Sequence, residues 1–304
     1  MPTFNVEKSI VINAPINQVF VTVRDFHTWP IWSPWLIVEP ECEAKVSPDG
    51  MQNSWDGKIV GSGKMIIDRA EENKAIHYTL TFLKPWRAIS PVSFLFEQSN
   101  EGVNVTWTME GSVPFFLFFL KKMMGALVGM DYQRGLTMLK DYVETGSVPS
   151  KLEFPGIVHA PACSYVGIRT ECAIEDISEA MGTDFEKLSE LLGPEAMRQS
   201  FSIYHKWDMV KGVCEYTAGC AVDTAPDPLP AGCFADTFPG CRAYKVVHTG
   251  PNRHLGNAWS AGMMHGRAKL FKQSKKLHPF ETYGNNPKLT PENELITYIH
   301  FPVA

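Results

Sequence analysis

The sequence predicts an α+β protein with two domains, and three features support this prediction. Residues 41–110 alternate short strands with turns and lead into a long amphipathic helix. Residues 146–151, Gly-Ser-Val-Pro-Ser-Lys, are typical of a linker. After this linker, the same order of strands and helix occurs twice. A chain of 304 residues fits two domains of the usual ~100–200 residues. We place them at residues 1–147 and 151–304.

The composition indicates a globular protein and argues against nucleic acid as a partner. Hydrophobic residues make up 44% of the chain and aromatic residues 12%, which is enough for sizeable cores. The net charge is −5, with 28 basic and 33 acidic residues and no basic block. Because binding to nucleic acid depends on clustered positive charge, we expect no direct nucleic-acid partner.

The seven cysteines indicate neither a disulfide framework nor a metal site. Their number is odd, and no two of them form a Cys-x-x-Cys pair. The first eight residues are polar and mixed, unlike a signal peptide. We therefore expect reduced thiols, a cytoplasmic location and no bound metal.

Residues 115–120, Phe-Phe-Leu-Phe-Phe-Leu, form a strongly apolar run that Lys121 and Lys122 end. Because a helix needs ~20 apolar residues to cross a bilayer, we expect no membrane span.

The elements of the N-terminal half can be assigned in order. A strand at residues 4–12 precedes a short helix that Asn13-Ala-Pro15 caps. Trp29, Trp32 and Trp35 follow, and they fit either the mouth of a cavity or, for Trp32, a packing anchor. Further strands are predicted at residues 57–68, 75–83, 92–98 and 103–110. The closing helix carries apolar residues at spacings near three and four from Leu117 to Val143.

This half resembles the SRPBCC superfamily, which includes START, polyketide cyclase and birch-pollen-allergen-like proteins. The resemblance rests on Val11-Ile-Asn-Ala-Pro15, Val19-Phe20, Asp25-Phe-His-Thr-Trp-Pro-Ile-Trp32-Ser-Pro34 and the closing helix. It implies a helix-grip fold, an antiparallel sheet wrapped on a long C-terminal helix, with a cavity for apolar small molecules. It does not imply a particular chemistry.

The C-terminal half contains an internal repeat of strand, helix, strand and strand. Tyr165 matches Tyr244, and Tyr204 matches Tyr283, at one offset of 79 residues. Two such units cannot each bury an apolar sheet face alone, so we expect a pseudo-twofold pair with a cleft between its halves. In this alignment Glu281 falls opposite a serine, Ser202, and the charge is therefore present in one half only.

This second half resembles the GyrI-like (AraC effector-binding) small-molecule-binding domain. The matching pieces, in order, are Tyr244-Lys-Val-Val-His-Thr-Gly-Pro251, the helix with Trp259, Pro279-Phe-Glu281-Thr-Tyr283, and Tyr298-Ile-His-Phe-Pro302-Val303. The resemblance implies that Glu281 binds cationic aromatic ligands. Some members that this chain resembles hydrolyse strained cyclopropane-bearing compounds.

Glu281 is the main candidate for a functional residue. In an aromatic-walled cleft, desolvation would raise the pKa of its carboxyl group. A cationic ligand would then supply the missing partner, or the carboxyl group would act as a general acid or base on an electrophile. The simpler interpretation is a solvated glutamate on an edge strand. The predicted ligand-binding residues are Glu281, Tyr283, Tyr204, Trp207, Tyr216 and Trp259.

The sequence leaves open whether the protein is an enzyme. It has no P-loop, no Rossmann glycine pattern and no His-Glu-x-x-His, so no cofactor is expected. The leading hypothesis is a cytosolic binder of hydrophobic compounds, including cationic or polycyclic ones, that senses or sequesters them through two cavities. The alternative is a hydrolase of strained or electrophilic molecules that uses Glu281. Both hypotheses are compatible with a macromolecular partner, which would be a second copy of the chain or a separate regulator.

Overall fold

The computed structural model describes residues 2–84, 87–193 and 200–304. It divides into two compact units, Met1–Pro149 and Ser150–Ala304. The first contains a seven-stranded antiparallel sheet and the second an eight-stranded antiparallel sheet. Helices accompany both sheets, and this confirms the predicted α+β class.

The N-terminal unit is a meander of strands closed by a long helix. Its helices are α1 (Ile16–Arg24), α2 (Trp29–Trp32) and α3 (Lys121–Thr145). Its strands are β1 (Thr3–Ile12), β2 (Glu43–Val46), β3 (Gln52–Asp56), β4 (Ser62–Glu71), β5 (Ala75–Lys84), β6 (Ala88–Ser99) and β7 (Gly102–Ser112). The sheet order is β1-β7-β6-β5-β4-β3-β2, so the first strand pairs with the last. Helix α3 follows the sheet, as predicted for a helix-grip fold.

Aromatic side chains fill the core of this unit. Trp32 and Trp107 are fully buried, with ring centroids 6.0 Å apart. Trp107 stacks on Tyr132 of α3 at 3.8 Å and on Phe94 of β6 at 4.7 Å. Trp32 is therefore a packing anchor, which was one of the two interpretations of the tryptophan-rich stretch.

The closing helix begins later than its apolar pattern predicts. Residues 115–120 form a separate 3-10 helix, and Leu117 in its middle has non-helical backbone angles. Only from Lys121 onward is the helix regular. Four phenylalanines of the 3-10 segment are 60–79% exposed, at positions 115, 116, 118 and 119. None of the helices within the described residues combines the length and hydrophobicity needed to cross a bilayer.

The C-terminal unit is a symmetric sheet of eight strands with two main helices. The strands are β8 (Lys151–Ala160), β9 (Cys163–Ala173), β10 (Ser200–Asp208), β11 (Val213–Ala221), β12 (Cys233–Phe238), β13 (Cys241–Thr249), β14 (Phe280–Tyr283) and β15 (Ile296–Pro302). The helices are α4 (Ile177–Leu192) and α5 (Leu255–Arg267). The strand order is β12-β9-β11-β10-β14-β15-β13-β8. This order is symmetric, because equivalent strands of the two repeats lie at equal distances from the two edges of the sheet. The two halves thus join edge to edge through β10 and β14.

Each half of the domain has one more strand than the predicted unit of strand, helix, strand and strand. This additional strand pairs with the opposite half. Strand β8 of the first half pairs with β13 of the second, while β12 of the second half pairs with β9 of the first. The edge strand β8 tolerates Pro155 because Pro155 and Gly156 lie beside a register shift opposite Lys245 and Val247. Gly156 there has a φ of +85°, which favours glycine.

The predicted equivalence of Tyr165 and Tyr244 is wrong by one residue. Tyr165 packs with Phe201 and Phe238, whereas Tyr244 packs with α5 and hydrogen-bonds His265. The two tyrosines therefore face opposite sides of the sheet. Neighbouring residues of a strand alternate between faces, so an error of one residue in the repeat reverses the face.

Both helices cover the same face of the sheet. Met181 of α4 and Trp259 of α5 each contact side chains of the central β10–β14 pair. Leu188 of α4 packs into one apolar cluster, with Tyr216 and its neighbours, and Ala258 of α5 packs into another. The central strand pair lies between these two clusters, and the candidate site is found there.

Candidate functional site

Glu281 occupies the centre of the eight-stranded sheet and is almost completely buried. It lies on β14, between β10 and β15, and is 1% exposed. The alternative of a solvated edge-strand glutamate is therefore wrong. Trp259 of α5 donates its indole N–H to Oε1 at 2.5 Å, and the Tyr283 hydroxyl donates to Oε2 at 3.2 Å. Tyr204 provides a further hydroxyl hydrogen bond to this carboxylate.

The partners of this carboxylate are all neutral. Among the described residues, no Lys, Arg or His side chain forms an ion pair with Glu281. Burial raises the pKa of Glu281, while the hydrogen bonds from Trp259, Tyr204 and Tyr283 oppose that shift. The carboxyl group thus holds its proton to a higher pH than an exposed glutamate does. In its ionised form it lacks a counter-ion.

Tyr283 connects the two halves of the repeat. Its hydroxyl lies 2.8 Å from Ser202 Oγ and 3.5 Å from Met181 Sδ, in addition to its contact with Glu281. Its ring packs edge-on against Phe185 of α4, with centroids 5.7 Å apart. Burial, and then the charge of Glu281, raises the pKa of Tyr283, so the phenol stays protonated and available as a donor.

Tyr204 makes the corresponding contact on the other side. Its ring packs edge-on against Trp259 of α5, at 4.8 Å between centroids, and against Trp207 at 6.0 Å. The register of β10 shifts between Tyr204 and Lys206, which brings Trp207 to the same face as Tyr204. Trp207 is 40% exposed, so it lies at the border of the site.

Tyr216 lies next to the site, and its hydroxyl points to α4. It is opposite Tyr204 in the β10–β11 pair and is fully buried. Its hydroxyl donates to Asp184 Oδ2 of α4 at 2.8 Å, and Thr170 donates to the same oxygen at 2.7 Å. This second buried carboxylate was missed by sequence reasoning. A single acidic residue on an amphipathic helix usually lies on the solvated face, and the sequence gives no sign that this one does not.

The structure therefore brings five predicted residues, Glu281, Tyr283, Tyr204, Trp207 and Trp259, into one connected group. Sequence reasoning missed Met181, Phe185 and Ser202 as members of this group, although the repeat had placed Ser202 opposite Glu281. The signals for Met181 and Phe185 were weak, since a methionine and a phenylalanine at helical spacing indicate only a core-facing side.

Potential metal ligands among the described residues, and the Asp25–His27 pair, do not give a second enclosed site. Within the described part of the chain, no three His, Cys, Asp or Glu side chains are grouped to hold a metal ion. In the N-terminal unit, Asp25 and His27 form an exposed pair at 2.9 Å. Neither side chain is enclosed, and this gives the pair no environment suited to catalysis.

Comparisons with known proteins give two family matches. Residues 3–144 match the family model described as polyketide cyclase / dehydrase and lipid transport. Residues 154–304 match the model of the GyrI-like small molecule binding domain. The matches occur in the order that the two resemblances predicted. No curated protein matches the chain significantly.

Several solved structures are similar to parts of the chain. The EcmrR C-terminal domain is 19% identical over 51% of this chain and 98% of its own, with a TM-score of 0.40. The protein MLL2253 from Mesorhizobium loti is 15% identical over 45% of this chain and 95% of its own, with a TM-score of 0.36. The Aha1 dimer from Colwellia psychrerythraea is 17% identical over 47% and 98%, with a TM-score of 0.36.

Proposed function

Because the chain joins a domain of the polyketide cyclase / dehydrase and lipid transport family to a GyrI-like small molecule binding domain, we propose that it binds hydrophobic and cationic small molecules. In this proposal the carboxylate of Glu281 binds the positive charge of the ligand. The observation that carries this proposal is a carboxylate that is 1% exposed and hydrogen-bonded to neutral donors, among aromatic rings.

The energetic reason is the missing counter-ion. An ionised carboxylate in a low-dielectric interior is costly unless a positive charge is close. A bound aromatic cation removes that cost and gains cation–π contacts of ~0.5–2 kcal/mol each with rings such as Tyr204 and Tyr283. The ligand must displace a side chain to reach Glu281. Trp259 is the ring best placed to move, because it is half-buried and bonds directly to the carboxylate.

The N-terminal domain supplies a second apolar binding unit in this proposal. Sensing of the ligand and its sequestration are both compatible with such binding. All seven cysteines lie in the described part of the chain as free thiols, which is compatible with activity in the cytosol.

A hydrolase is the second candidate, and one observation favours it. The carboxyl group of Glu281 has a raised pKa and lies 3.2 Å from the Tyr283 hydroxyl. Such a pair can hold and deliver a proton to a strained or electrophilic substrate. In this candidate the aromatic rings hold the substrate and Glu281 handles the proton.

Titration calorimetry with a matched pair of probes tests the proposal. Methyltriphenylphosphonium carries a charge, and triphenylphosphine oxide is a neutral molecule of similar shape. In the full-length chain, Glu281→Gln should weaken binding of the cation at least tenfold, about 1.4 kcal/mol, at a pH where the wild-type carboxylate is ionised. Binding of the neutral probe should change less than twofold.

The control is Glu171→Gln, which removes an exposed glutamate that pairs with Lys206. It should leave both affinities unchanged. Equal losses for the two probes, or no loss for either, would overturn the role of Glu281 as the cation's partner. A hydrolase would instead turn over a strained cyclopropane substrate, and Glu281→Gln would abolish that turnover while leaving the Kd of the substrate unchanged.

A further inference from the structure

Two free cysteines of the C-terminal unit lie directly opposite each other next to the candidate site. Cys172 of β9 is the strand partner of Cys214 of β11, and their sulfur atoms are 3.6 Å apart. We propose that Cys172 and Cys214 form a disulfide when the protein meets a hydroperoxide or a small-molecule disulfide, and that this bond weakens ligand binding at Glu281. The second part of this inference rests on the proposed function.

The backbone already has the geometry that such a bond requires. Directly opposite residues of an antiparallel pair have Cα atoms about 4.5 or about 5.5 Å apart. Disulfides span Cα distances of about 4.4–6.8 Å. The sulfur atoms, now 3.6 Å apart, need to approach to about 2.05 Å. Rotation of the two side chains supplies most of this movement, so the sheet need not open.

The two thiols differ in access, and this assigns their roles. Cys172 is half-buried, whereas Cys214 is fully buried. Burial and the neighbouring Cys172 raise the pKa of Cys214 to about 12, so this thiol stays protonated at neutral pH. An oxidant that enters from solvent therefore meets Cys172 first. Cys214 is the resolving thiol.

The reaction balances with either oxidant. The sulfur of Cys172 gives up its proton and attacks the OH-bearing oxygen of a hydroperoxide ROOH, which breaks the O–O bond and makes a sulfenic acid; the released RO group takes up the thiol's proton and leaves as ROH. Cys214 Sγ then attacks Cys172 Sγ, and its proton leaves with the hydroxyl group as water. With a disulfide RSSR, Cys172 first forms a mixed disulfide and Cys214 displaces the second RSH. In both cases the two cysteines are oxidised by two electrons and the oxidant is reduced.

The arrangement is specific to this pair among the strand cysteines. The other strand cysteines lie opposite residues of other types: Cys163 opposite Phe238, Cys220 opposite Val166, Cys233 opposite Ile168 and Cys241 opposite Ala160. A hydrogen-bonded sulfur pair on neighbouring strands is therefore a local feature of Cys172 and Cys214.

The pair is connected to the site through one neighbouring strand. On its other side, Cys214 lies opposite Trp207 of β10. The ring of Trp207 packs against Tyr204, which hydrogen-bonds Glu281. Tyr204 also packs against the apolar cluster that contains Cys214. A disulfide at Cys214 therefore restricts the movement of the neighbouring Trp207 and Tyr204 side chains, which must shift to admit a ligand.

Peptide mapping of the full-length protein tests the disulfide. The protein is treated with hydrogen peroxide or oxidised glutathione, denatured, alkylated and digested. We expect a cross-linked peptide that joins Cys172 to Cys214 and two fewer alkylated thiols. Cys172→Ser and Cys214→Ser should each abolish it, and Cys233→Ser should retain it. A wild-type protein that keeps both thiols, or that cross-links other cysteines instead, would overturn the assignment.

A binding measurement tests the coupling separately. The oxidised wild type should bind methyltriphenylphosphonium at least threefold more weakly than the reduced protein. Cys172→Ala, treated in the same way, should show no change. A cross-link without a change in affinity overturns the coupling and supports the disulfide alone. If the reduced protein does not bind the cation, the proposed function fails, and the mapping result still decides the disulfide.

Discussion

Ser202 and Glu281 face each other across the central strand pair, at positions that the repeat in the sequence makes equivalent. Both are buried, at 0% and 1% exposure, and the hydroxyl group of Tyr283 contacts both side chains. One half of the domain thus folds with a small hydroxyl group where the other half has a carboxylate. The fold of the other half does without a charge at this position, which supports the proposal that the charge of Glu281 serves ligand binding.

The burial of Glu281 predicts how stability depends on pH. Burial raises the pKa of Glu281 above its ordinary value of 4.5, so between these two pKa values the folded state binds more protons than the unfolded state. The free energy of unfolding should therefore fall as pH rises through this interval. Glu281→Gln has no such titration, and its stability relative to the wild type should increase with pH. Urea denaturation at a series of pH values measures this difference, and a constant difference would contradict the prediction.

Trp259→Phe isolates the hydrogen bond from the ring. The phenyl group keeps an aromatic contact with Tyr204 but cannot donate to Glu281. Loss of a hydrogen bond to a charged group should lower the free energy of unfolding by about 1.5–3 kcal/mol. The loss should be larger above the pKa of Glu281, because the bond favours the ionised form.

The matched control for this variant is Trp207→Phe. Trp207 is 40% exposed and packs against the same tyrosine. Its substitution should change the stability by less than about 0.5 kcal/mol. Chemical denaturation of both variants at two pH values is the measurement. An equal, pH-independent loss in both would show that only ring packing matters.

Gly262 sets how closely α5 approaches the sheet. A Cβ atom at this position would overlap the ring of Phe301, which is 1% exposed on β15. Gly262→Ala should therefore destabilise the unit by about 1–3 kcal/mol and displace Trp259 from Glu281. In α4, Gly182 has open space around the same atom. Gly182→Ala should instead stabilise its helix by up to about 1 kcal/mol. Thermal and chemical denaturation of the two variants gives the comparison, and a loss in both would contradict it.

The aromatic core of the N-terminal unit predicts a large effect at Trp107. This side chain is fully buried between Phe94 and Tyr132. Trp107→Ala should lower the free energy of unfolding by about 3–5 kcal/mol. Phe116→Ala removes a ring that is 75% exposed and should cost less than about 0.5 kcal/mol. Circular dichroism during denaturation measures both, and similar values for the two would overturn this view of the core.

The sequence was sufficient for the features that depend on local pattern. A strand was predicted at residues 103–110, and β7 lies there, with the alternating side chains of Val103, Val105 and Trp107 buried. The repeat drew attention to Glu281 because a charge in one half alone is conspicuous. These predictions succeed because strand alternation and duplication leave direct traces in the order of residues.

The rest depended on contacts between distant segments. Strands β8 and β12 were missed because each pairs with the opposite half of the domain, and Pro155 makes β8 look unlike a strand. Tyr165 and Tyr244 occupy positions in the two halves that differ by one residue. In the sequence alone, two tyrosines this close in register look like a match, so the predicted equivalence was wrong. The role of Asp184 as an acceptor for Tyr216 depends on how α4 is rotated against the sheet. Sequence spacing does not determine that rotation.

The exchanged outer strands have a consequence for any shortened form of this domain. A fragment of residues 150–221 would carry β8 without the strand on which it lies, and β9 without the strand that covers its edge. In a dimer of such fragments, β8 of each copy would pair with β9 of the other copy. The two central β10 strands would then pair with each other at a true twofold axis. We therefore expect the fragment to self-associate and not to fold as an isolated half.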